Sequence, residues 1–462
     1  MHHFDLCIIG SGSGNSIPDD RFAGQRVAMI EKNPVYGGTC LNVGCIPTKM
    51  FVYPADLAAS PAQARRLGVD LDLDGVRWAD IRDRIFGRID AISAGGAKYR
   101  EDSDNVTLFR APAHFVGPRT LDTGTGEVIT AEKYVIAAGS RATLPDVPGL
   151  DQVTVHTSDT VMRLDRQPAS MIIVGGGFVA AEFAHIFGAY GTQVTILQRS
   201  EALLRQEDRD VSRRFTELTA RKVDLRLRHA VRRVEPLAGD RVAVIAADAA
   251  GAEHRFEADV LLVATGRVPN GDTLNLSAAG VEVDQDGYVI VDDHQQTTAK
   301  GVFALGDVCS PYQLKHVANH EARVVQHNLL HPDAMITADH RYVPHAVFAE
   351  PQVASVGLTE QQAEERGIPY VTAIQEYASI AYGWAMEDTD HFAKLLADPD
   401  TGLLLGAHLI GPQASSLIQP LIQAMSFGLP AHRMARGQYW IHPAMAELVE
   451  NALLALPLRN RQ

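Results

Sequence analysis

Short apolar runs that end in glycine organise the N-terminal two thirds of the chain. Residues 4–9 read as a buried strand and run into Gly10-Ser11-Gly12-Ser13-Gly14-Asn15. Residues 171–174 read as another and run into Gly175-Gly176-Gly177-Phe178-Val179-Ala180. Strand, glycine turn and helix start make up the dinucleotide fingerprint G-x-G-x-x-G/A. The second stretch matches it. In the first, the third glycine comes one place early and Asn15 stands where Gly or Ala is usual. A further apolar strand follows each: residues 26–30 ending at Glu31, and residues 193–197 ending at Gln198-Arg199. Later, Tyr134-Val135-Ile136-Ala137-Ala138-Gly139-Ser140-Arg141 resembles Val260-Leu261-Leu262-Val263-Ala264-Thr265-Gly266-Arg267. The same elements in the same order predict two nucleotide-binding domains of similar design. The alternative is a set of glycine turns that only pack helix on sheet.

The remaining pattern is of two kinds. Gly301-Val302-Phe303-Ala304-Leu305-Gly306-Asp307 reads as a buried strand that ends in a turn and an acid, where Asp307 could hold a sugar-like hydroxyl or simply make the turn. From about residue 341, strand-like runs at 343–348, 353–356, 394–396 and 403–409 alternate with helical ones at 415–426 and 444–456, as in a separate α+β domain. The expected architecture is therefore α/β, with two Rossmann-like domains and a C-terminal α+β domain. The expected divisions are residues 1–147 and 148–271 for the two nucleotide domains, 272–336 for a central part completing the first, and 337–462 for the last.

The two nucleotide sites differ in charge. Glu31 lies 21 residues after Gly10, where a carboxylate can accept from both ribose hydroxyls. The corresponding place in the second domain carries Gln198-Arg199, with Arg205 following. A carboxylate there would repel a 2′-phosphate, whereas guanidinium forks attract one. The second site is thus expected to take NADPH, unless Arg199 and Arg205 are merely solvated surface charges.

Chemistry enters with Gly37-Gly38-Thr39-Cys40-Leu41-Asn42-Val43-Gly44-Cys45-Ile46-Pro47-Thr48-Lys49. Two of only four cysteines stand five positions apart. Five helical residues rise about 7.5 Å, and a disulfide needs Cα atoms within roughly 7 Å. If the two pair, the backbone between them is distorted, and Gly44 is the residue able to supply the distortion. A strained, reachable disulfide is the reducible kind. A zinc site would need two more ligands, but Cys7 and Cys309 stand alone. Two unrelated buried cysteines are the other reading. No metal is expected.

Bulk properties exclude some classes. A net charge of −14 and a pI near 5.7 argue against nucleic acid as a partner. No run of 18 apolar residues suggests a membrane span, and the first residues lack the marks of a signal peptide. So few cysteines suit a reducing, cytoplasmic setting.

The cysteine motif, both fingerprints, the Gly306-Asp307 segment and the C-terminal His442-Pro443 with Glu447 resemble the FAD-dependent pyridine nucleotide–disulfide oxidoreductases along essentially the whole chain. The resemblance implies FAD at Gly10, Gly12, Ser13, Gly14, Glu31, Thr39, Lys49, Gly139, Gly306 and Asp307. It implies NADPH at Gly175, Gly177, Ala180, Arg199, Arg205, Gly266 and Arg267. It also implies a redox-active Cys40–Cys45 pair, with Cys45 as the thiolate beside the flavin and Cys40 as the thiol that attacks the substrate disulfide. Lys49 would face the flavin and pair with Glu182. His442, oriented by Glu447 from a helix opened by Pro443, would be the acid/base, reaching the partner subunit of a homodimer.

Residues 382–389 and 434–443 look most like the branch that reduces the disulfide of mycothiol, a neutral sugar conjugate of cysteine. An NAD-linked dihydrolipoamide dehydrogenase, another low-molecular-weight disulfide reductase such as glutathione reductase, and a non-catalytic flavin-binding protein are the alternatives. The acidic Asn15-Ser16-Ile17-Pro18-Asp19-Asp20 stands where glutathione reductases are basic. Asn15 and Pro18 also depart from the family pattern, within the helix expected after the first fingerprint.

Overall fold

The computed structural model describes residues 2–459. His2–Ile9 is buried along its second half and lies at the centre of a seven-stranded sheet. Parallel partners flank it: Val27–Ile30, then Val106–Phe109 on one side, and Val128–Ile136 on the other. Val302–Ala304 adds in parallel beside Val128–Ile136, so the segment that ends in Gly306-Asp307 returns to the first sheet. The second sheet is wholly parallel: Asp224–Leu227, Gln193–Gln198, Ser170–Val174, Val260–Val263 and Val155–His156. Strands covered on both faces read as continuous apolar runs, which is how the sequence shows them.

Register aligns the strand ends that matter. Ile9 pairs with Ile30 and Ile136, and Val174 with Leu197 and Val263. Each glycine turn therefore opens at the carboxyl edge of its sheet, in the crevice where such folds hold ligands. A ribbon of Ser140–Ala142 against Arg267–Pro269 ties together the exits of the two sheets. Ala230–Pro236, Val242–Ala247 and Glu253–Ala258 form an antiparallel meander beside the second sheet that the glycine pattern did not announce.

The C-terminal sheet is antiparallel, in the order His345–Val347, Val353–Gly357, Leu404–Ile410, Phe392–Ala397, Val371–Glu376. The edge strand Val371–Glu376 lacks an apolar run and escaped the sequence reading. The helix expected over 415–426 is split into Ala414–Leu417 and Gln419–Ser426, the second carrying Pro420 in its first turn. That expected over 444–456 starts later, as Glu447–Ala455.

One polar cluster joins the second sheet to the C-terminal one. Lys394 is 1% exposed, and its ammonium donates to Asp208 (2.9 Å), Asp210 (2.7 Å) and Glu360 (2.6 Å). Asp208 also caps the helix Arg209–Ala220. Removing the cation would leave three carboxylates facing one another, Asp208 fully buried and Asp210 and Glu360 partly so. Lys394→Met is expected to destabilise the protein by about 3–5 kcal/mol, the range for breaking a buried ion pair, measured as the shift of the urea unfolding midpoint.

Candidate functional site

The chain between the two cysteines leaves the helix, as the spacing demands. Gly38–Asn42 ends, Val43 (φ −143°) and Gly44 (φ −128°) depart from helical geometry, and a new helix runs from Cys45 to Arg66. Gly44 is required by space: a Cβ there would sit 2.9 Å from the Thr39 carbonyl oxygen and 3.4 Å from the Cys40 Cα. The motif is pressed onto the first glycine loop. Gly38 adopts φ +75°, and a Cβ on it would lie 2.6 Å from the Gly12 Cα. The Gly37 N–H donates to Ser11 Oγ at 2.8 Å. Thr39 is exposed, its carbonyl accepting from the Val43 N–H.

Both thiols are free, Cys40 half-buried and Cys45 exposed. The two thiols lie close enough to interact, and the first N–H groups of the Cys45–Arg66 helix, from Cys45 and Ile46, favour an anion on the Cys40 sulfur. A thiolate is favoured at a helix N-terminus. The Cys40 thiol is drawn down to about 7, chiefly by the Cys45 thiol donating to it; burial opposes this, and the Lys315 charge and the backbone N–H groups assist. Cys45 moves strongly upward, because it donates that proton and because burial and the Cys40 charge disfavour a second anion. With both thiols reduced, the two therefore shift in opposite directions, Cys40 down and Cys45 up.

Lys49 and Glu182 do not form the expected ion pair. Phe348 stands with both: the Lys49 ammonium lies 3.7 Å from the centre of its ring, and its N–H donates to Glu182 Oε1 at 2.9 Å. Burial raises the Glu182 carboxyl to about 7, against the Phe348 N–H and the Lys49 charge. Burial also lowers Lys49 from its ordinary value.

The two glycine turns share one contact. Gly10 (φ +109°) and Gly175 (φ +128°) each bring the backbone so close to the next strand that a Cβ would lie 2.2 Å from a carbonyl oxygen, of Ala137 and Ala264 respectively. At Gly14 a Cβ would meet Ile8 and Ala137 side chains at 2.9 Å. Glu31 is buried; it accepts from the Ser11 N–H and hydroxyl and from the Asn33 N–H. Gly139 and Gly306 turn with positive φ, and Asp307 accepts from Ser140 Oγ at 2.7 Å. These residues fit a dinucleotide: backbone clear of side chains for a diphosphate, and acids at the strand ends for hydroxyls.

In the second domain Gly177 precedes the helix Phe178–Ala189, Ala180 is wholly buried, and Gly266 turns at φ +125°. Arg199 and Arg205 are exposed, and among the described residues neither guanidinium has an ion-pair partner. They fit an incoming phosphate. Arg267 differs from expectation: its guanidinium donates to Ser140 Oγ and the Ser140 carbonyl at 2.8 and 2.9 Å, so it braces the ribbon between the domains.

His442 Nδ1 lies 2.6 Å from Glu447 Oε1, as expected. The helix starts at Glu447, not at Pro443, so His442 sits on a turn with its ring largely in solvent. Among the described residues no hydrogen bond joins it to either cysteine. Tyr439, Ile441 and Phe427 stand exposed on the same domain.

Sequence reasoning missed Ser11, Phe348, Arg100 and Lys315. Arg100 holds the carbonyls of Asn15 and Pro18, and Tyr36 joins it on the Asn15 side chain. The helix expected after the first fingerprint is absent; Ser13–Ser16 and Asp20–Phe22 are single tight turns. Asn15 and Pro18 were the warnings in the sequence.

Iodoacetamide labelling of the dithiol-reduced protein checks the charge assignment. Cys40 is expected to react before Cys45, with a midpoint near pH 7 rather than at the ordinary thiol value of about 8.5, read by peptide mass mapping at each pH.

Comparisons with known proteins agree with this geometry. Residues 4–322 match the pyridine nucleotide-disulphide oxidoreductase family, and residues 343–453 match its dimerisation domain. A mycothione reductase from Mycobacterium tuberculosis is 54% identical, over 99% of this chain and 100% of its own. A dihydrolipoyl dehydrogenase from Halobacterium salinarum is 33% identical over 97% of this chain and 95% of its own. Among solved structures, the HOCl-induced flavoprotein disulfide reductase RclA from Escherichia coli superposes with a TM-score of 0.85 at 29% identity, covering 97% of this chain and 99% of that one. No helix of the described chain is long and apolar enough to cross a membrane. Matched from one nucleotide turn to the other and through the C-terminal sheet, the chain belongs to the pyridine nucleotide-disulphide oxidoreductase family.

Proposed function

We propose that the protein is an NADPH-dependent flavoprotein disulfide reductase whose substrate is mycothione. The observation that carries this reading is the Cys40–Cys45 pair, with one acidic thiol held at a helix start against the first nucleotide turn. Gly10, Gly12, Ser13, Gly14, Glu31 and Asp307 would hold FAD. Gly175, Gly177, Ala180, Arg199 and Arg205 would hold NADPH. Bound there, FAD would supply the two-electron chemistry that links the nicotinamide to the protein disulfide. The domain divisions would fall at residues 147/148, 271/272 and 336/337, a reading supported by the separate sheets on either side.

The chain's own residues then carry the exchange. The Cys40 thiolate attacks one sulfur of the substrate disulfide, forming a mixed disulfide and expelling the other half as a thiolate. His442, its far nitrogen fixed by Glu447, gives that thiolate a proton. Cys45 attacks the Cys40 sulfur, closes the protein disulfide and releases the second half, which also leaves as a thiol. Lys49 lies against Phe348, where burial lowers it from its ordinary value. Within one chain His442 has no bond to either cysteine, and its domain matches a dimerisation domain. The partner subunit of a homodimer is the natural donor of this histidine, with the exposed Phe427, Tyr439 and Ile441 lying in the interface. A cytoplasmic setting fits a protein whose four cysteines are all free.

Mycothione as substrate rests on the full-length relative at 54% identity. Exposed aromatic faces at Tyr382, Trp384 and Tyr439 suit a neutral sugar conjugate, and the acidic 15–20 segment does not suit the several carboxylates of glutathione disulfide. A steady-state panel of mycothione, glutathione disulfide and lipoamide with NADPH tests this. Mycothione is expected to give the highest kcat/KM, and a clear preference for glutathione disulfide would overturn the assignment. The nucleotide is tested separately. Arg199→Ala with Arg205→Ala is expected to raise KM for NADPH about 10–100-fold, the loss of charge-assisted bonds to one phosphate, and to leave NADH kinetics nearly unchanged.

A further inference from the structure

The first nucleotide turn departs from the design that it otherwise repeats. After Gly177 a 12-residue helix begins, and the positive end of its dipole faces the turn. After Gly12 there is only the four-residue turn Ser13–Ser16. Arg100 stabilises this shape from within: it donates to the Asn15 carbonyl (2.5 Å), the Asn15 side chain (2.8 Å) and the Pro18 carbonyl (2.9 Å). All three contacts turn its charge towards carbonyl oxygens. The aligned N–H groups and partial positive charge that a full helix brings to a diphosphate are therefore largely missing here.

A different cation stands at the place. Lys315 opens the helix Lys315–Leu330, and its ammonium donates to Ser13 Oγ at 2.8 Å. Ser13 is buried, and its hydroxyl also faces the Asn319 side-chain oxygen at 3.4 Å. Lys315 is half-buried, and among the described residues it has no carboxylate partner. Glu31, the acid of this site, is taken up by Ser11 and Asn33. An ammonium partly out of water and without a counter-charge is costly unless an anion meets it. The Cys40 thiolate feels this charge too, but only through space, whereas Ser13 is in direct contact.

We propose that Lys315 is a binding residue for the diphosphate of the dinucleotide on the first glycine loop, supplying the positive charge that the missing helix does not. The proposal rests on the reading that this loop holds FAD. It makes residue 315, far along the chain, part of the fingerprint at residues 10–15.

Retention of FAD by the purified holoenzyme tests it without reference to turnover. Wild type, Lys315→Met and Lys315→Arg are diluted in parallel, and released flavin is followed by its fluorescence across a range of NaCl concentrations. Lys315→Met is expected to weaken retention about tenfold or more, the weight of one charge-assisted bond, and to flatten the salt dependence. Lys315→Arg is expected to stay close to wild type, with both variants unfolding as cooperatively as the parent. Unchanged retention in Lys315→Met overturns the proposal. So does unchanged retention accompanied by an upward move of the Cys40 alkylation midpoint, which would assign the charge to the thiolate instead. A wild type that holds no FAD at all would sink the FAD reading itself, and this proposal with it.

Discussion

Two backbones meet without a side chain between them, and the site is organised around that contact. Gly12, in the first nucleotide turn, lies against Gly38, at the start of the cysteine motif, closer than any Cβ would allow. The approach brings Cys40 to the edge of the turn. Gly44 then lets the chain break and restart, so that the next helix begins at Cys45 with its N–H groups towards the Cys40 sulfur. The position of this thiol thus comes from three glycines and a helix start, and its acidity chiefly from the Cys45 thiol, with the Lys315 charge and the helix N–H groups assisting.

The long helix that begins at Cys45 is fixed from the other domain. Phe51 stacks on Trp78, which stacks on Phe187 of the helix after the second glycine turn, at 5.2 and 5.4 Å. The Tyr190 hydroxyl donates to the Phe51 carbonyl. Aromatic packing of this kind is rigid and directional. The dithiol is therefore referenced to both nucleotide turns at once, to the first through glycine backbones and to the second through a packed aromatic core. Two-electron transfer between sites needs such fixed spacing.

What was legible in the sequence follows from range. The strands at residues 4–9 and 171–174, their glycines and the helix break at Gly44 depend on neighbours within a few positions, and they read directly. The repeat even carried the shared close approach of Gly10 and Gly175 to a later Ala carbonyl. Contacts across the chain did not read. Phe348 between Lys49 and Glu182, Arg100 on Asn15, and Lys315 on Ser13 leave no periodic trace, because each partner is far away in sequence. The missing first helix shows the limit most clearly. Pro18 gave a reason for doubt, but the replacement, carbonyls held by a buried arginine, is a tertiary fact. Arg267, which the family resemblance assigned to the nucleotide, also braces the ribbon between the domains through Ser140, a contact the sequence did not announce.

The place of Phe348 bears on how the protein comes into being. Lys49 belongs to an early segment, while the ring that covers it is supplied from beyond the strand His345–Val347, made long afterwards. At ribosomal speeds of about 5–20 residues per second, tens of seconds separate the two. During that interval the nascent chain carries Lys49 without the ring that covers it. A chain that stops before residue 348 therefore carries the cysteine motif with Lys49 uncovered.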